Sequence, residues 1–293
     1  MDTFEGRVAV ITGAGSGFGR EFARLGHRLG MRLVLADVQQ DALAAVCGEL
    51  GADPARVIAE PVDVSRPDQV ERLAQRTFDT FGAANLLFNN AGVGGGGFVW
   101  ESSERDWAWV MGVNVNGVVN GLRSFVPRML ESERRNEPGH VVNTASMAGW
   151  LCAPAMGVYN ASKHAVVALT ETLHHDLALA GSRIGTTLLC PAFVPTGIAN
   201  SERNRPSDLA NAAPPTASQR MAQQASEKAV SSGRLGAQEV AQMTFDAIRD
   251  RRFYVFTHPQ ILPSVQDRFD AVLHGRMPAD PFASRPDRRP RAP

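Results

Sequence analysis

The chain has 293 residues, 44% of them hydrophobic and 20% charged, a balance that excludes a disordered protein and suits one globular α/β body. Thirty basic residues offset thirty acidic ones, so the formal net charge is zero and no nucleic-acid partner is implied. Three scattered cysteines (Cys47, Cys152, Cys190) without CxxC spacing read as reduced thiols and exclude a disulfide framework or a cysteine-held zinc, so no metal site is expected.

The N-terminus, MDTFEGRVAVITG, lacks the basic-then-apolar order of a signal peptide. No apolar run reaches the ~18 residues of a membrane span, so a cytoplasmic protein without membrane contact is expected. Arg7 to Thr12 is a short apolar strand that runs into Gly13-Ala14-Gly15-Ser16-Gly17-Phe18-Gly19 and then a helical pattern closed by Gly30. Strand, glycine turn and helix together suit a pyrophosphate held on free backbone N–H groups, although a tight βα turn also favours glycine. The next strand, Arg32 to Ala36, ends at Asp37, 18 residues past Gly19. An acidic side chain there suits ribose hydroxyls, the alternative being a helix N-cap.

A helix (Gln40 to Leu50), a strand (Arg56 to Val62), Asp63-Val64-Ser65, a helix (Asp68 to Phe81) and a strand (Asn85 to Phe88) follow, ending in Asn89-Asn90-Ala91-Gly92. Strands alternating with helices predict a parallel sheet with right-handed crossovers. Runs such as VAVIT and LVLA are continuously apolar, as strands covered on both faces should be. The glycine-rich stretch Val93 to Trp100 is either a loop that flexes over a ligand or a spacer. The spacing then predicts one long helix from Glu104 to about Met129, with Asn114 in its middle, where an amide needs a partner.

A buried strand, His140 to Thr144, precedes Ser146, and a helix is predicted from Gly157 to Leu179. Tyr159 and Lys163 stand four apart on it and share a face. An ammonium group nearby favours the phenolate, so this pair is expected to lower the phenol pKa from ~10 and give an acid/base for neutral pH. Ser146 offers a hydroxyl for a carbonyl or alcohol oxygen. After a sixth strand, Gly185 to Cys190, the segment 197–236 turns to Asn, Ser, Pro, Ala and Gln with weak periodicity, which predicts a lid rather than core. A helix (Gln238 to Asp250), a strand (Phe253 to Phe256) and a helix (Gln260 to Leu273) close the body. The tail 276–293 holds five prolines and five arginines and is expected to be disordered.

In this order and spacing the motifs resemble the short-chain dehydrogenase/reductase family over roughly Arg7 to Phe256. The TGxxxGxG turn matches Thr12, Gly13, Gly17 and Gly19; NNAG matches Asn89 to Gly92; the helix Asn matches Asn114; and the Ser, Tyr and Lys match Ser146, Tyr159 and Lys163. Pro191-Ala192 departs from the family's usual Pro-Gly. The stretch after Thr196 and the YVFTHP segment are loosely similar to bacterial aryl-ether Cα-dehydrogenases.

The resemblance implies a single-domain Rossmann fold over residues 1–275, a doubly wound parallel sheet of about seven strands. It implies hydride transfer between a secondary alcohol and a nicotinamide, with Tyr159 as acid/base, Lys163 tuning it and holding the ribose, Ser146 on the substrate oxygen and Asn114 anchoring a proton-relay water. Cofactor contacts are implied for Gly13, Ser16, Gly17, Phe18, Gly19, Asp37, Asp63, Val64, Asn90, Ala91, Gly92, Tyr159, Lys163, Pro191, Val194 and Thr196. Asp37 would repel a 2′-phosphate and neither Ser16 nor Val38 supplies a cation, which favours NAD over NADP. Met147, Trp150, Met156, Phe193 and Phe98 are expected to line an apolar pocket for a bulky hydrophobic or aromatic alcohol.

A homo-oligomer, most readily a tetramer with a dimer as the alternative, is expected, because Trp107, Val110, Val118, Val166 and Leu173 give the two long helices more apolar surface than one side of a sheet covers, and the family buries these helices against a symmetry mate. The alternatives are an NADP-dependent ketone reductase, a dinucleotide sensor without turnover, and a scaffold acting through the Arg/Pro tail. Turnover of any alcohol would remove the second, and truncation after Gly275 would test the third.

Overall fold

The computed structural model describes residues 3–51 and 53–283. Seven strands, β1 (Val8–Thr12), β2 (Arg32–Asp37), β3 (Val57–Pro61), β4 (Leu86–Asn89), β5 (His140–Thr144), β6 (Gly185–Cys190) and β7 (Tyr254–Phe256), form one sheet in the order β3-β2-β1-β4-β5-β6-β7. Every pairing is parallel. The order reverses between β1 and β4, and in open α/β sheets a ligand crevice opens at the carboxyl ends of such strands.

The continuous apolar runs work because successive residues face opposite sides. Ala9 and Ile11 of β1 and Leu33 and Leu35 of β2 enter one core, while Val8, Val10, Val34 and Ala36 enter the other. The first core is covered by α1 (Gly17–Arg28), α2 (Gln40–Glu49) and, further along the chain, the helix Ala237–Arg249; Phe22, Phe88 and Phe245 stack through it with centroids 4.7 and 5.6 Å apart. The second is covered by α3 (Pro67–Phe81) and the helix Gly117–Glu133. Pro67 opens α3, where its missing N–H costs nothing, and Gly82 closes it in the left-handed region.

The long helix predicted from Glu104 to Met129 is two helices. α4 (Glu104–Met111) starts on a reciprocal Ser103–Asp106 capping box, and α5 (Gly117–Glu133) follows a π-helical turn at Gly112–Asn116. The extra residue in that turn carries Asn114 inward. α6 (Gly157–Leu179) has the predicted bounds. The segment 197–236 is more structured than its weak periodicity suggests. It comprises 3₁₀ turns at Gly197–Asn204 and Ser207–Leu209 and α7 (Ala217–Ser231), capped by a Thr216–Gln219 box. α8 (Ala237–Arg249), β7 and α9 (Leu262–Leu273) complete the chain. Of the tail expected to be disordered, residues 284–293 lie outside the described residues, while Ala283 N–H donates to the Asp280 carbonyl at 3.1 Å.

Candidate active site

The cleft opens at the carboxyl ends of β1 and β4, and one side chain joins them. Thr12 Oγ1 donates to the Phe88 carbonyl at 3.1 Å and accepts from the Asn90 and Ala91 N–H groups at 2.9 and 3.1 Å. Asn90 Nδ2 returns a bond to the Thr12 carbonyl at 2.9 Å, so the glycine turn and the NNAG stretch are fixed to each other. Gly13 has φ +67°, and a Cβ on it would stand 2.9 Å from the Ala91 Cα. A Cβ on Gly19 would run into the Gly13 carbonyl. Both glycines therefore keep backbone close to backbone and leave the start of α1 open to the cleft.

Asp37, at the end of β2, lines the cleft, and its carboxylate accepts from the Gly15 N–H and the Gln39 N–H, each at 2.9 Å. It does not cap α2, whose N-cap is Gln39. Gly15 is a site residue the sequence reading passed over. Its N–H is what aims the carboxylate, and the signal was there in the GAGSG run. Along the far wall Asp63 folds onto Ser65, accepting from its N–H at 2.9 Å and its hydroxyl at 2.7 Å, beside Val64.

The opposite end of the cleft gathers Ser146, from the turn after β5, with Tyr159 and Lys163 from α6. Ser146 Oγ accepts from the Ala148 N–H at 3.1 Å and donates to the Pro191 carbonyl at 3.3 Å, and it lines the cleft together with Tyr159. Lys163 is 4% exposed; Nζ donates to the Thr144 carbonyl at 2.9 Å and lies 5.7 Å from the Tyr159 ring centroid. Burial pulls the Lys163 ammonium down to about 8. Burial also raises the Tyr159 phenol, against a smaller lowering by the nearby Ser146 hydroxyl. This reverses the sequence expectation of a lowered phenol. The charge of Lys163 is directed at a backbone carbonyl, and desolvation outweighs it.

Asn114 stands behind this group. Its Oδ1 accepts from the Val93 N–H at 2.8 Å, and Nδ2 donates to the Val93 carbonyl and Ser162 Oγ, each at 3.0 Å. Added to Gly92, a Cβ would lie 3.4 Å from Asn114 Oδ1 and 3.5 Å from Lys163 Nζ, so the two side chains converge beside that glycine.

Of the residues implied for the cofactor, Gly13, Ser16, Gly17, Phe18, Asp37, Asp63, Val64, Asn90, Ala91, Gly92, Tyr159, Lys163, Pro191, Val194 and Thr196 line the cleft; Gly19 packs under it. None of the five residues expected to form the apolar pocket is among those that line this cleft. Trp150 donates Nε1–H to Cys190 Sγ at 3.3 Å and packs edge-on against Tyr254 and Phe256, and Met147 is buried in the same cluster. Phe98 stacks on Trp100 at 4.9 Å, Met156 bridges to Gly97, and Phe193 is exposed. Periodicity could not separate these directions, because each lies in a loop or at a helix start. The apolar residues that line the cleft include Val93, Trp109, Val113, Ala192, Ile198 and Leu209.

The short chain dehydrogenase family profile matches residues 7–207, a stretch that contains Asn114, Ser146, Tyr159 and Lys163. The chain belongs to the short-chain dehydrogenases. It is 58% identical to a short-chain dehydrogenase/reductase from Burkholderia phymatum solved in complex with NAD, with a TM-score of 0.93 over 97% of this chain and 100% of that one. It is 36% identical to 1-deoxy-11-beta-hydroxypentalenate dehydrogenase from Streptomyces arenae (91% of this chain, 87% of that one) and 30% identical to C alpha-dehydrogenase from Sphingobium sp. (97% and 92%). As a short-chain dehydrogenase the protein is an NAD(P)-dependent oxidoreductase of CH–OH groups. A dinucleotide fits the cleft: the glycine turn approaches where side chains would block it. Trp109 Nε1 and Asn204 Oδ1, both in the wall, are buried without a hydrogen-bond partner among the described residues. Among the described residues no group of His, Cys, Asp and Glu could hold a metal, and no helix is long and apolar enough to cross a membrane.

Proposed function

We propose that this short-chain dehydrogenase uses NAD to interconvert a bulky hydrophobic or aromatic secondary alcohol and its ketone. The observation that carries the reading is the gathering of Ser146, Tyr159 and the buried Lys163 at the end of the cleft away from the Asp37 carboxylate, with Lys163 Nζ 5.7 Å from the Tyr159 ring centroid. When bound, the nicotinamide ring supplies the hydride acceptor or donor and, oxidised, a positive charge that favours a phenolate. Ser146 Oγ holds the substrate oxygen, and Tyr159 takes its proton in oxidation or returns it in reduction. Lys163, with a pKa of about 8, exchanges a proton readily near neutrality, and Asn114 fixes the loop that borders it.

Preference for NAD rests on Asp37. Its carboxylate is aimed by two N–H groups into the cleft, where it accepts ribose hydroxyls and repels a 2′-phosphate. The relative solved with NAD supports the same choice. The apolar wall of Val93, Trp109, Ile198 and Leu209 supports a hydrophobic substrate. Residues 1–275 are the catalytic domain, the segment 197–236 is its lid, and the assembly is a homotetramer.

The test is a panel of aliphatic and aryl secondary alcohols with NAD and with NADP, read as absorbance of the reduced cofactor. Aryl or bulky apolar alcohols with NAD should give the highest kcat/KM. Turnover confined to NADP would overturn the cofactor reading, and no turnover of any alcohol or ketone would overturn the reaction.

A further inference from the structure

Two basic side chains stand in the cleft wall, Lys163 and Arg203. Lys163 is accounted for at the Tyr159 end. Arg203 belongs to the lid, is exposed to solvent, and among the described residues has no carboxylate within ion-pair distance. Its guanidinium is nevertheless held in place. Nη1 donates to the carbonyls of Gly197 and Asn200 at 2.8 and 2.7 Å, and Nε donates to Gln39 Oε1 at 3.4 Å.

Those partners locate the charge. Arg203 Nη2 stands 2.8 Å from where a Cβ on Gly197 would be, and the preceding residue, Thr196, has its Cβ 3.3 Å from where a Cβ on Gly17 would be. The guanidinium therefore lies beside the turn that opens α1. On its other side Gln39 gives its N–H to the Asp37 carboxylate. Arg203 thus spans the rim between the glycine turn and the adenosine end.

The strap bearing it is fastened beyond the cleft. Arg205 Nη2 pairs with Asp106 Oδ1 at 2.7 Å, Nε donates to the Leu209 carbonyl at 2.8 Å, and the guanidinium lies 4.9 Å over the Trp109 ring. Ser201 Oγ accepts from the Gly94 N–H at 2.8 Å. Fixed at these points, Arg203 faces a cleft whose glycine turn offers an anion N–H dipoles and the Ser16 hydroxyl but no cation.

We infer that Arg203 binds the diphosphate bridge of the dinucleotide and so couples the lid to cofactor occupancy. The inference rests on the dinucleotide reading given above. A guanidinium is the donor suited to phosphate oxygens, and a diphosphate brings two negative charges to a turn with no cation of its own. A 2′-phosphate is disfavoured as the target, since it would meet the Asp37 carboxylate on the same side. The lid residue is then a specificity element for phosphorylated ligands, drawn from a segment that no glycine-turn motif describes.

Calorimetric titration of wild type, Arg203→Gln and Arg203→Lys with NAD, ADP, adenosine and NADP tests this without turnover. Arg203→Gln should weaken NAD and ADP by about tenfold to hundredfold, the scale of a charged hydrogen bond, and leave adenosine unchanged. Arg203→Lys should recover part of the loss, and the salt dependence of NAD binding should flatten in Arg203→Gln. Ligand-free melting temperatures show that the variants are folded. Unchanged NAD and ADP affinities, or an equal loss for adenosine, would overturn the inference. A loss confined to NADP would move the charge to the ribose phosphate and overturn it too. If wild type bound none of the four, the dinucleotide reading itself would fall, which sets that failure apart from a failure of Arg203.

Discussion

Tyr159→Phe removes one hydroxyl and leaves Ser146, Lys163 and the cleft wall in place. Loss of general acid–base catalysis should cost about 10²–10⁴-fold in kcat while NAD affinity, read by calorimetry, stays within about threefold. Near-normal kcat would mean that another group carries the proton. Lys163 gives a second test with a defined sign. In the fold it loses its proton near pH 8, whereas an unfolded lysine keeps it to about 10.5. Between those values the unfolded state binds more protons, so stability rises with pH across that window, and below pH 8 the buried charge carries its full cost. Lys163→Met should therefore raise the melting temperature by a few degrees below pH 8, with the gain fading toward pH 10, as turnover is lost. A gain independent of pH would refute the buried charge. Asp37→Ala should weaken NAD by roughly one to two decades through the lost charged hydrogen bonds, and NADP by less, since removing the carboxylate also relieves phosphate repulsion. The i, i+4 spacing made the Tyr159–Lys163 pairing legible in the sequence. What it could not carry was direction: Lys163 Nζ turns to the Thr144 carbonyl, a contact made across 19 residues, and the depth of burial that raises the phenol is set by elements distant in the chain.

Among the elements, regular βα units were legible because period-two and period-3.6 patterns differ over whole segments. The π turn at Gly112–Asn116 was not. One extra residue shifts an apolar stripe too little to stand out between Trp107 and Phe125, and only the mid-helix amide of Asn114 hinted at it. α7 escaped for the opposite reason. Its Ala, Gln, Ser and Lys residues bury little, and it docks through small contacts, among them Glu101 Oε2, which accepts from Thr216 Oγ1 at 2.5 Å and Ser218 Oγ at 2.6 Å. The 3₁₀ strap before α7 hangs on Arg205, whose side chain is 7% exposed and whose partner Asp106 is 14% exposed. Breaking one member of such a pair leaves the other charge poorly solvated. Arg205→Leu should therefore raise amide exchange across residues 197–211 while the β1–β5 core keeps its protection, and KM and kcat should change together. Protection unchanged across 197–211 would show a wall that stands without the ion pair.

The seven-stranded parallel sheet followed from runs such as VAVIT and LVLA, which only a two-faced cover can bury. For the proposed assembly the structure offers a second surface besides the two long helices that the sequence suggested. Val110, Val118 and Val166 are buried within the chain, and Trp107 and Leu173 are half-buried, so α4, α5 and α6 present less free apolar area than their composition implied. Half of the large apolar side chains that are exposed among the described residues lie near the carboxyl terminus: Tyr254 on the edge strand β7 is 46% exposed, and on α9 Val272 is 67% and Leu273 78% exposed, with Phe269 and Met277 nearby in sequence. An edge strand with an apolar helix beside it is a surface a soluble monomer does not leave open, and a second copy can cover it isologously. In the proposed tetramer this surface closes one of the two contact types that four subunits require. Light scattering at micromolar concentration should give a mass of four chains for wild type. The double variant Val272→Glu, Leu273→Glu should fall to two, with its far-ultraviolet circular dichroism unchanged. A tetramer that survives both charges would place the contact away from β7 and α9, and a wild-type mass of one chain would remove the assembly altogether.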